Sequence, residues 1–501
     1  MASSRKTISP PSWKDQGYVP MRYVVTMMTF LATMLQYMMR LNINFGIVAM
    51  VKPLNNSISN NSTDDDPCGF GDLDEEDQED YAGDFEWDQW TQGLILGSFF
   101  WGYIWTQVPV AQLLQKIRGC FYVCEILKLE ADCPTLLPPC AYGPHVDLIG
   151  NLRFLLYKGA VYPASHVLLT QWAPPLERSW LTAIIHADTH FIFILPFLVD
   201  RMMFQASIFV LPWMGFGYIY SAETRFVHRN VMEAEKIYDI KYIGDSKHHK
   251  ALRVPIKSIL SSLPVWAIIV AGWGDSWGFY TLLTDLPIYM KNVLKKDIKS
   301  NALNSAMPYF GYVVYSLLVS NVGDRLRRNG IISTIVFRKV ATALAHMVPA
   351  VMLLCLSLVE CNQEVTLALF FIAVTFQGGA TPGFTTNIMD IAPNYAGTVY
   401  GIENAVGAVP GFLVPMMVGA IVTNQQSTLQ WREVFNIGGA MYLVDAIIYV
   451  VFASGQEQIW NRKYSSNLSD TNDNKQTDDK CVNEVTSVQK EVGVVNQVFS
   501  E

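Results

Sequence analysis

Arg40 stands in the second half of an apolar stretch that runs from Tyr23 to Val51. A charge there costs ~2.5–3.5 kcal/mol on insertion scales, so the guanidinium should face a protein interior. Its planar donors match a carboxylate or a phosphate. They could equally tie two helices together, and the residue alone leaves both readings open. Asp275 sits in another apolar stretch beside Gly272 and Gly274. It is a candidate ligand for sodium or a proton, or else a helix-break residue. Glu403, followed by Asn404, lies in a third such stretch. The same cost turns it toward a cavity, where it could take a cation or a proton. Asp188 is flanked by His186 and His190, which share one helix face. That spacing can hold zinc, but no third ligand is evident and no metal is expected. A proton relay and a plain polar patch are the other readings. No nucleophile–base set and no phosphate-cradling loop occurs, so an enzyme is not expected. Nor is any cofactor, beyond sodium or a proton as coupling ion.

These residues need elements to hold them. Hydrophobic residues make up 51% of the 501 and charged residues only 16%, against a globular norm of about 25%. Mean hydropathy is +0.21. Too little charge is present to coat soluble domains of this size, but the apolar residues suffice for about twelve spans of ~20 residues. The composition excludes a nucleic-acid binder, a disordered scaffold and a secreted disulfide module. Apolar runs predict spans at 23–51, 90–110, 146–172, 180–199, 203–221, 259–287, 303–322, 335–359, 365–389, 397–423 and 434–454. A third span at 119–142 is the weakest, because it carries Lys128, Glu130, Asp132 and three prolines. The expectation is an all-α membrane protein with about 12 transmembrane helices in two six-helix lobes. Its parts are a cytosolic tail (1–21), an N-terminal lobe (22–221), a cytosolic linker (222–258), a C-terminal lobe (259–455) and a disordered cytosolic tail (456–501).

Charge orients these parts. Twelve acids and no Lys or Arg lie between Asp64 and Glu86. Removing them turns the net charge of −8 into 36 bases against 32 acids. Bases concentrate in the N-terminal tail, in the 222–257 linker and at Arg325, Arg327 and Arg328, which the positive-inside rule makes cytosolic. The acidic loop, 52–89, then faces outward, as its glycosylation acceptors Asn55, Asn60 and Asn61 require. Lys291, Lys295, Lys296 and Lys299 run against this assignment.

Several strings resemble one family. They are Tyr37-x-x-Arg40-x-Asn42, TQGLILGSFFWGYIWTQVP at 91–109, YPASH at 162–166, QWAPPLERS at 171–179, SWGFYTLL at 276–283 and IAPNYAGTVYGIENAVGAVPGFLVPMMVGAI at 391–421. On these the chain resembles the anion transporters of solute carrier family 17, in the major facilitator superfamily. That family includes sodium-phosphate cotransporters, sialin and vesicular glutamate transporters. The C-terminal half is most similar to the arthropod branch named for inorganic phosphate cotransport.

The resemblance implies roles. Arg40 occupies the family's arginine position and would contact the anion. Arg153 matches a second family arginine, with a snorkelling interfacial residue as the plainer reading. The family's acid two turns later, thought to couple protons, is replaced here by Lys158, which puts family-type coupling in doubt. Leu96 and Asp275 stand where the glutamate branch carries His and Arg, which argues against glutamate. Gly323-Asp324-Arg325-Leu326-x-x-x-Gly330 resembles the superfamily's cytosolic loop motif, so Asp324 and Arg325 would form a conformational latch. The N-half counterpart, ending Lys116-Ile117-Arg118-Gly119, lacks the acid.

The implied function is sodium- or proton-coupled symport of an anion, inorganic phosphate or an organic anion, by alternating access. The expected partners are the small anionic substrate and the lipid bilayer. A monomer in the plasma membrane or in a lysosome or vesicle membrane is expected. The alternative is a transport-dead relative or a faulty gene model, acting at most as a membrane interaction protein. The divergent 111–205 stretch is its main support.

Overall fold

The computed structural model describes residues 20–34, 103–109, 111–112, 161–188, 190–191, 254–282, 298–359, 362–422 and 428–461. The described helices are α1 (21–34), α2 (103–109), α3 (Val161–Trp172), α4 (Arg178–His186), α5 (Ile256–Leu260) and α6 (Leu263–Tyr280). They continue as α7 (Ile298–Arg328), α8 (Thr334–Leu356), α9 (Gln363–Gln377), α10 (Thr386–Ile391), α11 (Ala396–Gly407), α12 (Pro410–Ile421) and α13 (Thr428–Phe452). Among the described residues, four segments are long and apolar enough to cross a membrane: Thr334–Leu356, Gln363–Ile391, Ala396–Ile421 and Leu429–Phe452. Residues up to Gln456 belong to one compact unit and those from Glu457 to another. The candidate third and sixth spans, most of the linker and the tail beyond 461 lie outside the described residues.

The burial pattern is that of a soluble protein turned inside out. On α8, Val336, Val340, Leu344, Met347 and Val351 are exposed at helical spacing, while Arg338, Thr342 and His346 are fully buried on the opposite face. On α7 the exposed stripe is Met307, Phe310, Val314, Leu318 and Val322. On α13, Val444, Ile447 and Val451 face outward, and Tyr442, Asp445 and Tyr449 face inward. Such surfaces suit hydrocarbon, and the polar residues then find partners only inside the bundle.

Helix ends and breaks set where these polar faces meet. Gly330 ends α7 with φ +71°, in the left-handed region that glycine enters without penalty. The Ile331 amide donates to the Leu326 carbonyl and the Gly330 amide to Arg327, both within 3.1 Å, which is a Schellman closure. Ser333 then caps α8 by accepting from the Val336 amide. This short turn folds the basic end of α7 onto the start of α8. Between α9 and α10 the chain is irregular over Gly378–Thr385, with Gly383 at φ −80°, ψ −112°. A Cβ at Gly383 would strike Thr342 of α8, and one at Gly378 the Tyr312 carbonyl of α7. The small residues thus let the broken segment lie directly on both neighbours.

α8 packs along α13 and α9, and α6 along α13 and α11. The halves of the chain meet where α3 lies on α11 and where α4 lies on α7.

Candidate functional site

Three polar stations line the bundle. The first lies within the C-terminal lobe. α6 carries Gly272, Gly274 and Gly278 around Asp275. A Cβ at Gly272 would overlap the Glu403 side chain, one at Gly274 the Asp445 carboxylate and one at Gly278 the Tyr442 ring. These glycines thin α6 so that acidic and phenolic side chains of α11 and α13 can lie against its backbone. His346 of α8 stands between two of the acids. Its Nδ1 is 3.0 Å from Asp445 Oδ1 and its Nε2 3.6 Å from Asp275 Oδ1. The His346 side chain is 0% exposed, Asp445 3% and Asp275 23%. Gln377 Nε2 donates to both the carbonyl and Oδ1 of Asp275, each at 3.2 Å. Glu403 is buried and feels the charge of Asp275. Asp275 and Glu403, both legible in the sequence, therefore fall in one cluster. His346 and Asp445 complete it; neither is among the residues singled out from the sequence, although Asp445 is an acid inside the 434–454 run.

The second station is aromatic and lies where the halves meet. His166 of α3 stacks on Tyr400 of α11, with centroids 3.8 Å apart. His186 of α4 packs edge-on against His166, Tyr162 and Tyr400. His190 stacks on Tyr312 of α7 at 3.4 Å. Asp188 accepts a 2.8 Å hydrogen bond from the Tyr162 hydroxyl. His186 and His190 thus face different aromatic neighbours, and among the described residues no group of three or more His, Cys, Asp or Glu side chains is arranged to hold a metal. Asn404 Nδ2 donates to the Tyr103 hydroxyl at 2.7 Å, which joins α11 to α2.

The third station joins the halves at the end the sequence assigns to the cytosol. The turn between α3 and α4 supplies Glu177, and the first turn of α4 supplies Arg178, Ser179 and the Trp180 amide. Asp324 Oδ2 accepts from the Trp180 amide at 3.0 Å, and Asp324 Oδ1 from Arg327 at 3.1 Å. Arg327 also donates to the Pro175 carbonyl. Arg338 Nε pairs with Asp390 Oδ2 at 2.8 Å, and its Nη1 donates to Ser179 Oγ at 2.7 Å and the Pro382 carbonyl at 2.6 Å. Arg178 reaches back to the Met389 carbonyl and to Asp390. Glu177 pairs with Arg22 at 3.1 Å and Arg328 at 3.8 Å. Of the two motif residues, Asp324 is buried in this network and Arg325 is exposed. The guanidinium on Asp324 is that of Arg327. Arg178 and Glu177 belong to the QWAPPLERS string, but nothing in the sequence pairs them with Arg338 or Asp390, more than 150 residues later in the chain.

Arg40, Arg153, Lys158, Asn55, Asn60 and Asn61 lie outside the described residues.

Known proteins match this architecture. The family profile described as Major Facilitator Superfamily matches residues 29–415. A "Putative inorganic phosphate cotransporter" of Drosophila melanogaster is 32% identical over 461 residues, covering 88% of this chain and 86% of that protein. Human sialin is 31% identical over 456 residues, covering 88% and 90%. Human vesicular glutamate transporter 2 is 31% identical over 458 residues, covering 88% and 75%. Among solved structures, the proton:xylose symporter XylE superposes with a TM-score of 0.63 at 12% identity, over 87% of this chain and 97% of that one. The human organic anion transporter MFSD10 gives 0.56 at 13% identity, over 86% and 100%. The chain therefore belongs to the major facilitator superfamily, within solute carrier family 17, as a multi-pass membrane transporter and not an enzyme.

Proposed function

We infer that the protein is a secondary active transporter that carries a small anion together with a cation, by rocking two lobes about a central site. The observation that carries this reading is the intramembrane acidic cluster of buried Asp445 and Glu403 with half-buried Asp275, in helices that otherwise present apolar surface to lipid. Buried acids in such surroundings are expensive and are kept where an ion must bind and leave. Cation entry, as sodium or a proton, supplies the driving force, with Asp275, Glu403 and Asp188 as coupling residues. Arg40 and Arg153 hold the anion, each offering the paired donors that suit phosphate or carboxylate. Inorganic phosphate is the first substrate, by kinship with the phosphate cotransporters, and an organic carboxylate such as sialic acid the second. The cross-lobe network at Asp324, Arg327, Arg338 and Asp390 supports alternating access, since it seals one end with bonds that rocking would break. The protein works as a monomer in the plasma membrane or in a lysosome or vesicle membrane.

Uptake of radiolabelled phosphate into proteoliposomes tests this, under a sodium gradient and then a proton gradient. Gradient-driven uptake that vanishes in Arg40→Ala is the expected result. No uptake of phosphate, glutamate or sialic acid by folded, inserted protein would overturn it in favour of a transport-dead relative.

A further inference from the structure

We propose that Asp275, His346 and Asp445 form the proton carrier of the transport cycle, with the coupled proton held between His346 Nε2 and Asp275 Oδ1. The proposal rests on the coupled-transporter reading above and names its coupling ion as a proton instead of sodium.

The geometry of the imidazole carries the argument. Nδ1 lies 3.0 Å from Asp445 Oδ1, and against a carboxylate oxygen, which can only accept, it is the nitrogen that would hold a hydrogen and donate it. A neutral ring would then aim the Nε2 lone pair at Asp275 Oδ1, 3.6 Å away. Two lone pairs would face each other where the ring has no exposure to water, and electrostatic terms are strong in such surroundings. A proton between them turns repulsion into attraction. Its loss leaves the neutral ring still bonded to Asp445, so the cluster can release a proton without falling apart.

The surroundings favour this ion. The groups that face His346 are Asp445 and Tyr442 of α13, Asp275 of α6 and Phe384 of the broken segment. Tyr312 of α7 and Glu403 of α11 stand next, both acted on by Asp275. Among the described residues, His346 is the one Lys, Arg or His side chain within 4.0 Å of Asp445. Three acids thus share a single imidazole, and the site is short of positive charge. A hard metal cation would need several oxygens closing around it. Here the imidazole fills the space between the two carboxylates, and ring nitrogen is a poor ligand for such an ion. The exposure gradient gives a route. Asp275 is the wet member at 23%, while His346 and Asp445 are dry. The proton passes from His346 Nε2 to Asp275 Oδ1 and then to water, leaving imidazole in place of imidazolium. Loading runs the same steps in reverse.

Two measurements test it. The first is nitrogen NMR of the full chain in lipid bilayers, with 15N-labelled histidine, at neutral pH. A doubly protonated ring signal that disappears in His346→Gln, and shifts to a neutral ring in Asp275→Asn, is expected. A neutral His346 ring in the wild type overturns the proposal without any transport assay, and without concern for variant folding. The second compares phosphate exchange with phosphate accumulation in proteoliposomes. Exchange needs no net proton movement, so His346→Gln should lose accumulation driven by a pH gradient by a larger factor than it loses exchange. A variant that still accumulates phosphate like the wild type, or a wild type driven by sodium with no response to pH, overturns the proposal alone. A wild type that exchanges neither phosphate, glutamate nor sialic acid overturns the transporter reading, and the proposal with it.

Discussion

Two buried basic side chains sit on one face of α8, in different surroundings. Arg338 and His346 are eight residues apart, about 12 Å along the helix axis. Arg338 bonds to Asp390 and the Pro382 carbonyl in its own lobe and to Ser179 in the other. His346 is held between two carboxylates of its own lobe. A guanidinium does not deprotonate in proteins, so Arg338 can respond to the cycle only by breaking and remaking bonds. An imidazole can change charge in place, so His346 can respond without losing its neighbours. Fixed charges suit contacts that must open, and titratable ones suit contacts that must stay while an ion comes and goes. The same helix carries both kinds, two turns apart.

Removing the fixed charge should have the largest effect. Arg338→Ala leaves Asp390 facing Arg178 at 3.9 Å, a looser pairing than the one lost. Breaking a buried pair this way costs ~3–5 kcal/mol, and the thermal midpoint in detergent should fall further than for Gly274→Ala or Asp324→Asn. Arg338→Lys keeps the charge but not the fork that reaches three acceptors, so its midpoint should lie between. Equal midpoints for the alanine variant and the wild type would mean that the cross-lobe network contributes nothing to the sealed conformation.

The next effect belongs to the titratable station. Gly274→Ala puts a Cβ into the Asp445 carboxylate. Overpacking of this kind costs ~1–3 kcal/mol, and it pushes Asp445 off His346. Gly419→Ala is the control, since nothing lies within 4 Å of its Cβ position. It should be neutral or stabilising, by up to about 1 kcal/mol, because alanine suits a helix better than glycine. A thermal midpoint lowered equally by both would show that the thinness of α6 at Gly274 has no special part in seating Asp445.

The spans of the C-terminal lobe are legible as apolar runs. Those expected near 335–359 and 434–454 correspond to α8 and α13. Asp275 and Glu403 are legible because a carboxylate in such a run is costly and must face a protein interior. His346 is not, because a single neutral-looking imidazole costs little to place in a helix. Asp445 gains its meaning from a partner 99 residues away, so only the fold pairs them. Arg338 reads as the charged end of a span, and its burial comes from distant partners, Ser179, Asp390 and the Pro382 carbonyl. The break at 378–385 carries signals in Gly378-Gly379 and Pro382-Gly383. Glycine is common in membrane helices, however, and close approach to α7 and α8 shows only in three dimensions.

The smallest predicted effect sharpens the comparison most, because it separates neighbouring arginines. Asp324→Asn keeps an oxygen for the Trp180 amide but loses the ion pair with Arg327. Replacing this charge-assisted bond between two buried side chains by a neutral one should shift the gate by about 1 kcal/mol, roughly fivefold in population. A cysteine placed at Ala173, fully buried in the sealed turn, reports that population through its alkylation rate. The rate should rise about fivefold in Asp324→Asn and at least as much in Arg327→Ala, which also frees the Pro175 carbonyl. Arg325→Ala should leave it unchanged, since that side chain is exposed. If Arg325→Ala opened the gate and Arg327→Ala did not, the motif arginine would be the latch after all. Fixed charge at this end would then act across the conformations of the cycle, not within the sealed one.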